Sequence, residues 1–264
     1  MILSFHKYQA TGNDFIIIDD RERRFDTQNS SLIHKLCNRR FGIGGDGLIL
    51  IRTEPGLDFR MIYFNADGYE GSMCGNGGRC AAAFANILFP EKNRFAFKAF
   101  DGIHEATLIS GKGDGFIIRL SMSDVKSPLN NGEDVVLDTG SPHYVSFVGD
   151  AGSIDVNKSG KSIRNSEPYL REGINVNFAE IHNDTITVRT YERGVEEETL
   201  SCGTGVTASA IAAFSRGLIS QPKVKVFTRG GDLEVDFVPA NGQGYSNVFL
   251  TGEAMPVFQG VIEV

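Results

Sequence analysis

The feature that most constrains the fold of this 264-residue chain is an internal repeat. Cys74-Gly75-Asn76-Gly77 precedes an Ala-rich stretch, and Cys202-Gly203-Thr204-Gly205 precedes another 128 positions later. Gly12-Asn13-Asp14-Phe15 stands before a β-type run, and Gly140-Ser141-Pro142-His143 does so again at the same spacing. Between these marks, Tyr63-Phe64-Asn65-Ala66-Asp67-Gly68 and Thr190-Tyr191-Glu192-Arg193-Gly194 each end a strand-like segment. Three matched features in one order describe two copies of a single plan rather than one long domain.

Local patterning fills in each copy. Alternating or β-branched runs predict strands at 2–8, 14–19, 48–52, 59–64, 95–100, 103–109 and 116–120 in the first half. The second half repeats them at 135–137, 144–148, 174–181, 185–191, 224–228, 233–238 and 247–264. Helices are predicted over 30–39, where a serine can cap, and over the Ala-rich segments 76–88 and 205–215. The polar stretch 121–132, with Pro128 and Asn130-Asn131-Gly132, reads as the linker between the copies.

Charge and cysteine usage remove several function classes. Lys and Arg number 26 against 33 Asp and Glu, a net charge of −7, with no basic run to override it, which argues against nucleic acid as a partner. The longest apolar runs, such as 80–85 and 208–214, are too short to span a bilayer, and the first twenty residues read as strand–turn–strand rather than as a signal peptide. A cytoplasmic protein with no membrane partner is the expectation. The four cysteines (37, 74, 80, 202) form no CxxC pair and are expected as free thiols. The five histidines (6, 34, 104, 143, 182) show no HxH or HExxH spacing, so no metal site is supported.

The chemistry concentrates at the two Cys-Gly-x-Gly segments. A cysteine at a helix N-terminus sits where unsatisfied N–H groups favour negative charge, which lowers a thiol pKa. The N–H groups that follow make a cradle for a carboxylate or phosphate, and glycine lets a ligand approach the backbone. A duplication with pseudo-twofold symmetry sets two such helix starts on opposite sides of one ligand. The chemistry suited to that arrangement is proton removal from one face of a carbon and proton return to the other: a racemase or epimerase with two thiol bases. Helix N-termini at the carboxylate would stabilise the enolate-like charge that develops, and no pyridoxal cofactor is then required.

Each feature also has a plain structural explanation. Cys37 and Cys80, inside predicted helices, read as inert buried thiols. Taken singly, Asn13 and the 65–68 segment are turn residues, and Glu192-Arg193 is a surface ion pair. Their matched positions in the repeat bring Asn13, Asn65, Glu192 and Arg193 back as site candidates. Two glycine patterns suggest a nicotinamide oxidoreductase as a reading from another class. Gly42-Ile43-Gly44-Gly45-Asp46-Gly47 has helix before and strand after, the reverse of a dinucleotide fingerprint. Gly203-Thr204-Gly205-Val206-Thr207-Ala208 opens a helix but lacks the acidic residue that would hold a ribose.

The stretch from Asn65 to Arg79, with Asn65-Ala66-Asp67-Gly68 and Cys74-Gly75-Asn76-Gly77-Gly78-Arg79, resembles the signature of the diaminopimelate epimerases. Gly12-Asn13-Asp14-Phe15, Tyr191-Glu192-Arg193-Gly194 and Ser201-Cys202-Gly203-Thr204-Gly205 follow in family order over essentially the whole chain. The last of these is shared with proline racemases and hydroxyproline epimerases. The resemblance implies an α+β fold of two pseudo-symmetric domains, each a curved, mostly antiparallel sheet around a central helix. The domains would be 1–120, with the terminal strand 253–264 returning to it, and 121–252, with the site in the cleft between them.

The implied reaction is interconversion of LL- and meso-diaminopimelate, in lysine and peptidoglycan precursor synthesis, without pyridoxal phosphate or metal, by a homodimer. Cys74 and Cys202 would be the two bases, Cys74 facing the LL isomer and Cys202 the meso isomer. The helix starts at Gly75-Asn76 and Gly203-Thr204 would bind the reacting carboxylate. Asn13, Asn65, Asn175, Glu192 and Arg193 would hold the substrate, largely at its distal end, and His143 and Glu192 would tune the thiols. The related alternative is a two-thiol racemase for proline, hydroxyproline or histidine, which has no second zwitterion to hold.

Three departures from the family pattern stand out. Ser141 replaces the usual Asn before Pro-His, so one substrate contact is expected to be lost or bridged by water. The 194–200 stretch is one residue longer and more acidic, which is expected to alter specificity, and Tyr69 replaces a smaller residue.

Overall fold

The computed structural model describes residues 2–111, 113–240, 242 and 244–264. Its first elements are β1 (Ile2–Ala10), β2 (Asn13–Asp19), α1 (Ser30–Cys37), β3 (Gly47–Arg52), β4 (Phe59–Asn65), α2 (Gly75–Leu88), β5 (Arg94–Ala99), β6 (Gly102–Gly111) and β7 (Phe116–Ser121). There follow β8 (Leu129–Asn131), β9 (Asp134–Asp138), β10 (Pro142–Phe147), α3 (Val156–Arg164), β11 (Asn175–His182) and β12 (Thr185–Glu192). The chain ends with β13 (Glu197–Thr199), α4 (Gly203–Ser215), β14 (Lys223–Thr228), β15 (Gly231–Pro239) and β16 (Tyr245–Glu263). The contacts divide these into two units, Met1–Leu120 with Gly252–Val264, and Ser121–Thr251.

In the first unit the strands run in the order β1-β2-β3-β4-β5-β6-β7-β16, and β16 also pairs with β1 from Met255 to Glu263, so the sheet closes on itself. The β2–β3 and β4–β5 pairs are parallel and the rest of this set, where the register is resolved, antiparallel. Inside lies α2, buried without interruption from Gly75 to Ala85. Alanine and glycine dominate it because a helix wrapped on all sides leaves no room for long side chains, and alanine keeps helix propensity high.

The second unit repeats the plan. Its sheet runs β16-β15-β14-β12-β11-β10-β9-β8, with parallel pairs at β10–β11 and β12–β14, the positions equivalent to those of the first unit. The helix α4 packs against β9, β10, β11, β12, β14 and β15, with Gly203 and Gly205–Ala213 buried. The core here is Val145, Ile186, Val188, Ile211, Val226, Val235 and Leu250, among others.

Three elements differ from expectation. The 121–132 stretch is not all linker, since Leu129–Asn131 forms β8 against β9. The helix α3 has no apolar stripe to announce it, only Val156 and Ile163 among polar residues. It is fixed by its Asp155 cap, and a Cβ on Gly160 would lie 2.3 Å from the Tyr191 side chain. The short β13 lies within the acidic 194–200 stretch and pairs with β12.

Burial of α4 predicts that Ile211→Ala, at a fully buried position, lowers the unfolding free energy by about 2–5 kcal/mol in urea denaturation. A loss well under about 1 kcal/mol would contradict the packing described.

Candidate active site

Each central helix begins on a cysteine. Cys74 caps α2 with extended backbone (φ −107°, ψ 120°), and the Gly77 N–H donates to its Sγ at 3.5 Å. Cys202 caps α4 with nearly the same backbone (φ −117°, ψ 112°). The Cys74 and Cys202 carbonyls accept the first intrahelical bonds, from Gly78 (2.7 Å) and Val206 (2.9 Å). The N–H groups of Gly75-Asn76 and Gly203-Thr204 therefore lie ahead of the regular ladder, where the helix dipole favours an anion. Cys74 is half-buried and Cys202 keeps 9% of its surface.

None of the four cysteines is in a disulfide. Burial pushes the Cys37 thiol up to about 12 and raises that of Cys80 further, so neither is a nucleophile near neutral pH.

In the first unit the Cys74 thiol donates to Asn13 Oδ1 at 3.7 Å, and Asn76 Nδ2 donates to the same oxygen at 3.3 Å. The Asn13 amide is turned this way by Asp46, whose Oδ2 accepts from Asn13 Nδ2 at 2.6 Å. Asp46 in turn belongs to a compact ion cluster with Arg39, Asp14 and Lys7. Burial acts to raise the Asp14 carboxyl, but bonds and charge from Arg39 and Lys7 hold it well below the usual carboxylate range. The glycine-rich 42–47 segment thus lies between α1 and β3 and presents Asp46 to Asn13. Asn65 sits at the exposed end of β4, where its carbonyl accepts from Gly68 N–H at 3.0 Å. Among the described residues no hydrogen bond joins its side chain to the Cys74 network.

In the second unit a neutral chain of polar groups leads to Cys202. Thr190 Oγ1 donates to Asn177 Oδ1 (2.9 Å), and Asn177 Nδ2 donates to both the Tyr144 carbonyl and His143 Nδ1 (3.1 Å each). A carbonyl only accepts, so the Asn177 amide has one orientation and His143 Nδ1 must be the acceptor nitrogen. The ring proton is then on Nε2, which donates to Thr204 Oγ1 at 2.9 Å. That leaves the Thr204 hydroxyl proton for Cys202 Sγ at 3.4 Å. His143 is fully buried, and burial, helped by the charge of Arg193, lowers its pKa to about 3 against the opposing bond from Asn177. It is a neutral dipole at physiological pH, not a cation. Gly205 is required here, because a Cβ would lie 2.3 Å from Asn177 Oδ1.

Beside this chain, Asn175 Oδ1 accepts from the Arg193 N–H at 2.9 Å, and its Nδ2 donates to Ser141 Oγ (2.9 Å) and to the Pro142 carbonyl (3.1 Å). Arg193 Nη2 also reaches Ser141 Oγ at 3.4 Å. Ser141 is therefore held by Asn175 and Arg193. Glu192 ends β12. The acidity of the 194–200 stretch is largely absorbed: Glu196 pairs with Arg164, and Glu198 with Arg189 and Arg229. Tyr69 is exposed.

Sequence reasoning missed Asn177, Thr190, Asp46 and Arg79. Asn177 was detectable, since it lies two residues from Asn175 on a strand and so on the same face, in an otherwise apolar run. Arg79 was detectable as the one charged side chain of α2.

The fold built around these helices is shared with solved structures that include an epimerase and an isomerase. A hydroxyproline epimerase from Agrobacterium vitis superposes with a TM-score of 0.70 at 13% identity, over 99% of this chain and 92% of that one. A PhzF-family phenazine biosynthesis protein from Bacillus anthracis gives 0.72 at 14% identity over the whole of both chains. The sequence model of diaminopimelate epimerase matches residues 5–122 and 135–257. The curated diaminopimelate epimerase of Flavobacterium psychrophilum is 47% identical over 98% of this chain and 100% of its own length. That of Aquifex aeolicus is 38% identical over 98% of this chain and 97% of its own. The chain belongs to the diaminopimelate epimerase family and is an isomerase.

A buried neutral histidine has a signature of its own. An unfolded chain takes up the His143 proton as pH falls below about 6.5, whereas the folded protein resists it until about 3. The stability His143 contributes is thus complete above the unfolded value and declines as pH falls through this window. At pH 5 the wild type should lose about 2 kcal/mol relative to its pH 7.5 value that His143→Gln does not lose. Ring ¹⁵N shifts should show the neutral Nε2–H tautomer throughout; an imidazolium appearing between pH 5 and 7 would contradict it.

Proposed function

We propose that the protein interconverts LL- and meso-diaminopimelate by two-base proton transfer, with Cys74 and Cys202 as the bases. The observation that carries this reading is the matched pair of cysteine caps on two equivalent buried helices. The family relatives supply the substrate, through their printed name.

In this reading the two helix starts serve one substrate. The Gly75-Asn76 and Gly203-Thr204 N–H groups hold the reacting α-carboxylate. The Cys74 thiolate takes the α-proton of the LL isomer and becomes a thiol. The electron pair left on the α-carbon spreads into the carboxylate, where the helix dipoles stabilise it. The Cys202 thiol then gives its proton to the opposite face and becomes the thiolate. The net change is inversion at one carbon, with the two sulfurs exchanging roles, and the reverse reaction starts from Cys202. No external oxidant or cofactor enters the balance.

Asn13, Asn65, Asn175, Glu192 and Arg193 are proposed to hold substrate, chiefly its distal amino-acid end, which needs both a carboxylate partner and an ammonium partner. His143, acting through Thr204, and Glu192 are proposed to tune the thiols. The protein is taken to act on a small molecule in the cytoplasm, as a homodimer, with no nucleic-acid or membrane partner. The net charge of −7 supports the reading without nucleic acid; among the described residues no helix is long and apolar enough to cross a membrane.

The test is proton NMR of LL-diaminopimelate in D₂O with reduced protein, following loss of the α-proton signal, with proline and histidine as parallel substrates. The wild type should exchange and epimerise diaminopimelate, while Cys74→Ala and Cys202→Ala each lose about 100- to 10,000-fold in turnover or more. Retention of the diaminopimelate α-protons while proline or histidine loses its own would overturn the substrate assignment. Full turnover by either variant would overturn the chemistry.

A further inference from the structure

We propose that Arg79 is a positioning residue that supplies a permanent positive counter-charge for Cys74 as thiolate, at a position where the second half of the chain has an uncharged threonine. The proposal rests on the reading of Cys74 as a base.

Arg79 is fully buried in the second turn of α2. Its guanidinium donates to four acceptors: the Glu253 and Gly75 carbonyls (3.4 Å each), Thr11 Oγ1 (3.3 Å) and Asn76 Oδ1 (2.9 Å). All four are neutral, and no carboxylate among the described residues forms an ion pair with it. A buried cation without an anion is costly, and folds that keep one have a use for the charge. The anionic groups it senses are the thiolate forms of two cysteines, Cys80 and Cys74, and burial lowers its pKa to about 10. Cys80 is sealed in the core and held protonated. Cys74 is half-buried and already receives the Gly77 N–H. It is the group that can carry the negative charge.

The hydrogen bonds transmit the same polarity. Because Arg79 donates to Asn76 Oδ1, the Asn76 amide must point its Nδ2 at Asn13 Oδ1. That oxygen is also the acceptor of the Cys74 thiol proton. An acceptor already loaded by Asn76 holds the thiol proton less firmly.

The repeat provides an internal comparison. The residue 128 positions after Arg79 is Thr207, also fully buried. Its hydroxyl donates to the Gly203 carbonyl at 3.0 Å, the counterpart of the Arg79 bond to Gly75. The contact is retained and the charge is not.

Other titratable groups on the strands packed against α2 are engaged or uncharged. On β1 and β2, Lys7 and Asp14 pair with each other, and Tyr8 is held protonated by burial. His6, also on β1, packs at a tilt against Phe84, and burial lowers its pKa. On β3, Arg52 is bound by Asp20, and on β6, His104 by Asp101. On β4, Arg60 faces Glu54, and the Tyr63 ring packs on Phe15. Among these described groups the cations Lys7, Arg52 and Arg60 each face a carboxylate.

The test is the pH dependence of iodoacetamide alkylation, read separately at Cys74 and Cys202 by peptide mass spectrometry of the free protein. In the wild type, Cys74 should react with a midpoint below about 8.5, the ordinary thiol value. Arg79→Met and Arg79→Gln should raise the Cys74 midpoint by about one pH unit or more, slowing alkylation near pH 7 about tenfold, and leave Cys202 where it was. Arg79→Lys should restore most of the shift.

A wild-type Cys74 midpoint at or above the ordinary value overturns the proposal without any variant. So does an equal shift at both cysteines, which is what a merely structural lesion would give. A rise in KM with no change in the Cys74 profile would also overturn it, since Arg79 would then serve the substrate carboxylate. Because alkylation needs no substrate, a Cys74 shift in a protein that fails to turn over diaminopimelate would sink the proposed function and leave this inference standing.

Discussion

A helix enclosed by a sheet has nothing to offer a ligand along its sides; its chemistry is confined to the end that the sheet leaves open. This constraint governs both halves of the chain. From Gly75 to Ala85 and from Gly205 to Ala213 every side chain is buried, so small residues line the helices and the strands close around them. What remains is the N-terminus, with its unsatisfied N–H groups and the positive end of its dipole. Cysteine is the residue placed there both times.

The two copies share a backbone plan and differ in how they polarise the sulfur. Phe15, Ile49, Ile62 and Arg79 of the first half stand where the second has His143, Asn177, Thr190 and Thr207. The first half keeps an apolar bed and one buried cation. The second has no cation there and builds a polar chain through Asn177, His143 and Thr204 to Cys202. Divergence of this kind suits a pair of bases that meet opposite faces of an asymmetric substrate. In the proposed reaction each thiol has to be poised for the other's conjugate form, not for an identical environment.

Much of this architecture was legible in the residues. The 128-residue spacing exposed the repeat, and the Ala-rich runs after Cys74 and Cys202 exposed the central helices, because few other contexts want a helix without a polar face. The strand assignments held to within a residue or two because the alternation was strong. The helix α3 was hidden: its residues are polar, and its place is set by the close approach of Gly160 to Tyr191, a tertiary fact. At the site, positions matched across the repeat pointed to Asn13 and Arg193, but Asn177 and Asp46 act by orienting other side chains. Such roles depend on which atom faces which, and sequence does not record that. The partners of the acidic 194–200 stretch were hidden for the same reason, since Arg164, Arg189 and Arg229 come from elsewhere in the chain to pair with Glu196 and Glu198.

The central claim is that two separate groups serve the two faces of the reacting carbon. Epimerisation begun from pure LL-diaminopimelate in D₂O tests it most directly, with the isomer ratio and the deuterium content of each isomer followed through early turnover. Two thiol bases predict deuterium in the meso product while the remaining LL isomer stays protiated, and an isomer ratio that passes its equilibrium value before returning. Early deuterium in both isomers, with a monotonic approach to equilibrium, would mean that one group serves both faces and would contradict the account.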